Sequence, residues 1–361
     1  MLPSLLELAL GATVNSFESK PFDVASCLNK ELASNLLSLL PTDIDVEVTS
    51  KFIENDDYWK RACKELVPKA SNIREEHGMS HKRMFFELMV HKILLDATSG
   101  DKISTENIIE KIKPFADHIH TLRLRSVAHN FPIDAIASNL PNLTKLDLKY
   151  RLPLHKSFQR FPGLKNVIEL SPFLINVALK DCDINDKDLG ILLDGVDCSL
   201  LHLDLSHNKI TYNGVASMKA LLDSSASTLV TLDVSGNKIG NEGATELGKI
   251  LELNDTLMSL NLRLNNIEDE GGNDLFSSLM KNATLTKINM AANKLGTDSV
   301  KAISNLAESH TSIIESIFLT SNQFSEEDLK YLRQYQICCM NMTNTISADE
   351  GFGSLASETP C

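Results

Sequence analysis

The chain has 361 residues, 43% hydrophobic and 23% charged, with a formal net charge of −13. This balance excludes a disordered chain, which lacks apolar residues, and a bundle of membrane helices, which lacks charges. The acidic total argues against a general nucleic-acid binder, and seven cysteines with no CxxC pair predict reduced thiols rather than a disulfide scaffold.

The opening MLPSLLELALGATV is apolar but short, no basic stretch precedes it, and Glu7 interrupts it. Neither a signal peptide nor a membrane span is expected there, which predicts a cytosolic compartment. The four Asn-x-Thr sequons, beginning at Asn142, Asn254, Asn282 and Asn341, then read as chance matches.

Residues 1–115 alternate short helical runs with turns and predict a small α-helical domain. Leu32, Leu36, Leu37 and Leu40 share one helical face. In DDYWKRACKE, Tyr58, Trp59, Cys63 and Leu66 share another, so Trp59, the single tryptophan, is expected as a core anchor, with Lys60 and Arg61 on the solvated side. In HKRMFFELMVHKIL, Phe85, Leu88 and Met89 are expected inward, with Lys82 and Arg83 beside them. His77 and His81 have i, i+4 spacing but lack the glutamate of a zinc-protease motif, which predicts two solvated histidines and no metal. His118 and His120 read as a polar strand face without a third ligand.

From residue 116 a repeat takes over. LLHLDLSHNKI begins at Leu200, LVTLDVSGNKI at Leu229, LMSLNLRLNNI at Leu257, LTKINMAANKL at Leu285 and IESIFLTSNQF at Ile314. An earlier copy, LINVALKDCDI from Leu174, has Cys182 where the others have Asn, and two more, from Ile119 and Leu143, keep only the strand. These are leucine-rich repeats, about eight over residues 116–340. The leucines of L-x-x-L-x-L point inward from a short strand and the intervening residues face out. Asn208, Asn237, Asn265, Asn293 and Asn322 lie where the chain leaves the strand, so their amides can satisfy backbone groups buried by the turn. Cys182 can fill that place with only a weak donor.

Helical spacing after each turn, as in Val215, Met218 and Leu222, predicts an α/β solenoid of eight parallel strands with outer helices. With its period of 28 to 29 residues the array resembles the ribonuclease-inhibitor type, which implies a curved horseshoe. Its first edge needs a cap, which the N-terminal domain is expected to provide. A last helix capped by Ser325 and a short apolar segment with Cys338 and Cys339 close the other end. Residues 341–361 read as a flexible tail.

No phosphate-binding glycine loop and no nucleophile elbow occurs, and no catalytic residue or cofactor is expected. The outward positions read Arg123, Asp147, Ala178, Asp204, Asp233, Asn261, Asn289 and Phe318. Asp204 and Asp233 form a polar ladder suited to protein contact. Residues 118–165 carry eight basic residues against Asp134 and Asp147, a basic band between acidic neighbours. Arg123, Arg125 and Lys149 from this band, with Lys60, Arg61, Lys82 and Arg83, are the candidate protein-binding residues.

LLSLLPTDIDVEV, then Tyr58-Trp59-Lys60-Arg61, then Lys82 to Glu87 (KRMFFE), leading into such repeats, resembles the T-complex-associated testis-expressed leucine-rich-repeat family of cilia and flagella. The resemblance reaches to about residue 340. It implies a non-enzymatic subunit of the nexin–dynein linker in the axoneme. Its partners would be coiled-coil linker subunits, with axonemal dyneins or tubulin beyond them, and neither nucleic acid nor membrane. Two other readings stay open. LNKELASNLLSLLP followed by YWKRAC also resembles a weak F-box, which would make the chain a substrate receptor of a ubiquitin ligase. A Ran-type GTPase-activating protein shares the repeat period and would use Arg123 or Arg125, but the long acidic C-terminal run of that family is missing.

Overall fold

The computed structural model describes residues 5–67, 80–99, 104–125, 133–149, 163–194, 199–222, 227–309, 312–335 and 338–339. The tail expected at 341–361, His77, and Arg151, Lys156 and Arg160 of the basic band lie outside the described residues. The chain divides into two compact units, one holding Met1–Leu122 with Asn139–Asn142, the other Arg123–Ser138 with Leu143–Asn344.

The first unit is helical: α1 (Leu5–Ser16), α2 (Val24–Cys27), α3 (Lys30–Leu39), α4 (Val46–Phe52), α5 (Asp56–Leu66), α6 (His81–Ser99) and α7 (Thr105–Ile112), then a 3-10 turn, Lys113–His118. Short polar residues start these helices. Asp23, Asn29, Asp45, Asn55 and Ser104 each accept a backbone N–H of the first turn, which would otherwise be unpaired. Trp59 of α5, 1% exposed, donates its indole N–H to the Ile53 carbonyl at 2.9 Å. Its ring meets Tyr58, Phe85 and Phe86 at centroid distances of 5.2, 5.1 and 5.0 Å, and Phe86 stacks on Phe115 at 5.1 Å. Phe86 is fully buried, whereas Leu88 and Met89, expected inward, are half-buried.

Among the described residues the repeats build a nine-stranded sheet in chain order: β1 (Thr121–Arg125), β2 (Lys145–Lys149), β3 (Asn176–Lys180), β4 (His202–Asp204), β5 (Thr231–Asp233), β6 (Ser259–Asn261), β7 (Lys287–Asn289), β8 (Ser316–Phe318) and β9 (Cys338–Cys339). From β2 to β9 every neighbouring pair is parallel. The ninth strand corrects the expectation of eight: the segment after the last helix pairs with β8 through Cys338 and Cys339. Helices connect the strands: α8 (Ile133–Ala137), α9 (Leu164–Leu170), α10 (Asp186–Leu193), α11 (Tyr212–Leu222), α12 (Gly240–Leu251), α13 (Asp269–Leu279), α14 (Val300–Glu308) and α15 (Glu326–Leu332). Leu203, Leu232, Leu260 and Ile288, one residue per strand in register, are buried with Val215, Met218, Leu247 and Leu275 of the helices. Among the described residues no helix is long and apolar enough to cross a membrane.

The asparagines act as the strand-turn geometry demands. The Asn265 amide donates to the carbonyls of Val234 and Arg263 at 2.9 and 3.3 Å, and its oxygen accepts from Ile239 N–H at 3.3 Å. Asn208, Asn237, Asn293 and Asn322 repeat this pattern, each bonding its own turn and the one before. In the copy from Leu174 the Cys182 thiol faces the Leu148 and Lys180 carbonyls at 3.5 Å each, the weak donor in the asparagine's place. The residue before each of these six positions is left-handed: Asp181, His207, Gly236, Leu264, Ala292 and Ser321, with φ from 54° to 67°. Glycine is needed most at Gly236, where an added Cβ would also sit 2.7 Å from the His207 ring.

A second ladder gives two of the sequon asparagines a structural use. Asn254 donates to the Leu222 carbonyl at 2.9 Å and Asn282 to the Leu251 carbonyl at 2.7 Å, bonding residues that end the preceding helices. Their oxygens accept from Leu257 and Leu285, so each pins the start of the next strand. The sequon threonines Thr256 and Thr284 close the same turns through N–H bonds to these oxygens.

Candidate interaction face of the sheet

The side chains between the buried leucines form the open face of the sheet, and the register sorts them into rows. One row runs Lys145, Asn176, His202, Thr231, Ser259, Lys287 and Ser316; two residues along each strand another runs Asp147, Ala178, Asp204, Asp233, Asn261, Asn289 and Phe318. Neighbouring members of a row are about 4.8 Å apart, the spacing of paired strands.

The acidic row is built into the turns. Asp204 accepts Ser206 N–H and Asp233 accepts Ser235 N–H, both at 2.8 Å; Asn261 and Asn289 do the same for Arg263 and Ala291. Asn261 also donates to the second Asp233 oxygen at 2.8 Å. Burial, and then the Asp233 charge beside it, push the Asp204 carboxyl above the ordinary aspartate value. His202 faces the Thr231 hydroxyl at 2.8 Å, and burial followed by the Lys145 charge lowers its pKa, favouring the neutral ring. The face therefore offers ordered acceptors, donors and one carboxylate pair. Among the described residues no group of three or more His, Cys, Asp or Glu side chains could hold a metal ion.

On the basic side, Arg123 of β1 makes an ion pair with Asp147 of β2 at 3.7 Å, so part of its charge is already matched within the sheet. Lys149 is half-buried beside Lys180 in register. Arg125 closes β1, and its side chain lies outside the described residues.

In the helical unit the basic residues do other work than the solvated positions predicted. Arg61 donates to the Leu37 and Leu40 carbonyls at 2.6 and 3.0 Å, satisfying the C-terminal end of α3, and lies 5.6 Å from the Tyr58 ring centre. Lys82 is 5% exposed, pairs with Glu54, and stands 5.9 Å over the Trp59 ring. Arg83 bonds Glu87 at 2.9 Å and the Thr121 hydroxyl at 3.2 Å, while Glu87 accepts Thr121 N–H. Lys60 alone of the four is exposed. His81, expected in solvent, is buried, with its backbone N–H and ring on the two oxygens of Asp56 at 2.7 and 2.6 Å. His81 on Asp56 and Lys82 over Trp59 fasten the start of α6 to α5, while Arg61 ties α5 to the end of α3.

One feature of the face escaped the sequence reading. Ile175, Leu201, Val230 and Met258 immediately precede β3, β4, β5 and β6, and each carbonyl accepts the backbone N–H of the next member at 2.9 Å. Ile175 and Met258 are 38% and 47% exposed, and Leu201 and Val230 half-exposed. The signal was the second letter of LINVAL, LLHLDL, LVTLDV and LMSLNL, apolar in four successive copies.

Stacked parallel strands, an asparagine after each of β4 to β8 and helices in the returns make this a leucine-rich-repeat fold. A family model described as Leucine Rich repeat matches residues 196–219, 225–248, 253–276 and 281–304. The chain is similar to Dynein regulatory complex subunit 5, the protein to which the resemblance at residues 58–61 and 82–87 leads. The Macaca fascicularis protein of that name is 32% identical over 94 residues, 26% of this chain and 18% of its own length. The Chlamydomonas reinhardtii one is 26% identical over 213 residues, 58% of this chain and 49% of its own length. The chain thus matches about a fifth of the primate relative and half of the algal one. Among solved structures, an internalin from Listeria monocytogenes overlaps 63% of this chain and 64% of its own at 20% identity, with a TM-score of 0.36.

Proposed function

We propose that the protein is a non-enzymatic scaffold of the nexin–dynein regulatory complex in the axoneme of cilia and flagella. It contributes to the control of dynein-driven motility by holding other subunits in place. The observation that carries this reading is the similarity to Dynein regulatory complex subunit 5 in a primate and in an alga. The open face supports it, since its polar groups are tied to their own turns and set in rows, an arrangement suited to an extended protein partner. Coiled-coil linker subunits are the expected partners, and the helical unit docks the chain through surfaces such as Lys60.

The test is retention. A tagged chain expressed in flagellated cells should lie along the flagellum and stay with the axoneme after the membrane is removed by detergent. Its recovery in the detergent-soluble fraction, with capture of the Skp adaptor, would replace this reading with the ubiquitin-ligase one.

A further inference from the structure

The geometry of the apolar row at the start of β3 to β6 limits the shape of what could cover it. The row is bounded: the same register position is Thr144 before β2, Thr286 before β7 and Glu315 before β8. Four apolar side chains, one per strand, cover a span of about 14 Å at the usual strand spacing. An α-helix laid across the strands has a pitch of about 5.4 Å, so it presents one side chain per turn to each strand in near register. An extended chain advances about 3.3 Å per residue with alternate side chains turned away, and cannot place one residue on each strand.

Charge gives the occupant a pattern. Asp204 and Asp233 lie three residues along β4 and β5 from the row, about 10 Å away, the width of a helix with its side chains. Lys145 on β2 lies one position past the row at its other end. We propose that the row seats an amphipathic α-helix of a partner subunit, about three turns long. Its apolar stripe lies on Ile175, Leu201, Val230 and Met258, its basic flank on Asp204 and Asp233, and an acidic residue near Lys145. This rests on the reading of the open face as a protein-contact surface and adds the form and polarity of what it holds. Matched flanks set the register of such a helix while apolar burial supplies its affinity.

The test places a photo-crosslinking residue at Ile175, Leu201, Val230 and Met258 in turn, in the full chain assembled into axonemes, and maps the partner residue reached from each. A helix advances about three residues per strand, since a spacing near 4.8 Å is divided by a rise near 1.5 Å. The expected result is one partner segment with successive steps of three or four residues. Steps of one or two would show an extended segment and overturn the proposal, as would crosslinks scattered over unrelated segments or none at all from retained protein. Met258→Asp should weaken salt-resistant retention about tenfold without moving the melting temperature, while Thr286→Asp, one strand beyond the row, should not. Equal losses from both variants would also overturn it. A chain that never joins the axoneme overturns the proposed function itself, and the helix with it.

Discussion

The helical unit and the repeat unit are stabilised in opposite ways. In the first, one residue gathers distant parts of the chain: Trp59 touches Tyr58, Phe85 and Phe86 and bonds Ile53, joining α5 and α6 to the end of α4. In the second, each asparagine serves only its own turn and the previous one, and the pattern is copied along the array. Damage should therefore be global in the first unit and local in the second.

Trp59→Ala gives the sharpest measure of the first half of that contrast. Emptying a buried aromatic site costs about 3–5 kcal/mol. Thermal unfolding should show the helical unit melting early as one step, while the repeats keep their own transition. A wild-type midpoint for this unit would mean the aromatic cluster does not hold it. Asn265→Ala tests the second half. It leaves the buried Ile239 N–H without its acceptor and takes one of two donors from each of the Val234 and Arg263 carbonyls, at a total of about 1–3 kcal/mol. Amide exchange should quicken at Ile239 and in the adjoining repeats but not at β2 or β3; uniform loss of protection would break the contrast. Arg61→Ala should cost about 2 kcal/mol by removing a charged donor from the α3 carbonyls. If stability is unchanged in urea, Arg61 is available for a partner after all.

The smallest effect comes from the face. Asp204 has a raised pKa in the folded protein, so its favourable contribution is complete below the ordinary aspartate value and is lost as pH rises through the raised one. Asp204→Asn keeps the acceptor for Ser206, as Asn261 does for Arg263, and removes the repulsion with Asp233. It should stabilise by about 0.2–1 kcal/mol at neutral pH, with the gain vanishing as pH falls into the carboxylate range. A gain independent of pH would place its origin elsewhere.

Much of the array was legible because a leucine at fixed spacing has one use. The strands, the inward leucines and the asparagine turns follow from period and residue type. The ninth strand did not, since two cysteines carry no repeat signature. The helical unit was legible in its apolar stripes but not in its charges. Helical spacing puts Arg61 and Lys82 off the apolar face, yet long side chains reach back: Arg61 to carbonyls 21 and 24 residues earlier, Lys82 to Glu54 across the tryptophan ring. Such contacts depend on how two helices are placed, which local spacing does not encode. The apolar row is present in the letters, but period-2 alternation marks only the positions on either side of each buried strand leucine as outward, and the row lies one residue before them.

The second asparagine ladder bears on where this protein can be made. Asn254 and Asn282 satisfy the acceptor rule for N-linked sugars, yet both are buried and hold the helix-to-strand turns. A glycan on either nitrogen would take away the donor that closes the turn and put a bulky polar group in its place. In a secretory pathway, modification of the emerging chain would compete with the closing of each repeat, and a modified chain could not complete the stack. Production by secretion from a eukaryotic host would yield misassembled material, whereas a host that never offers the chain to the glycosylation machinery would not.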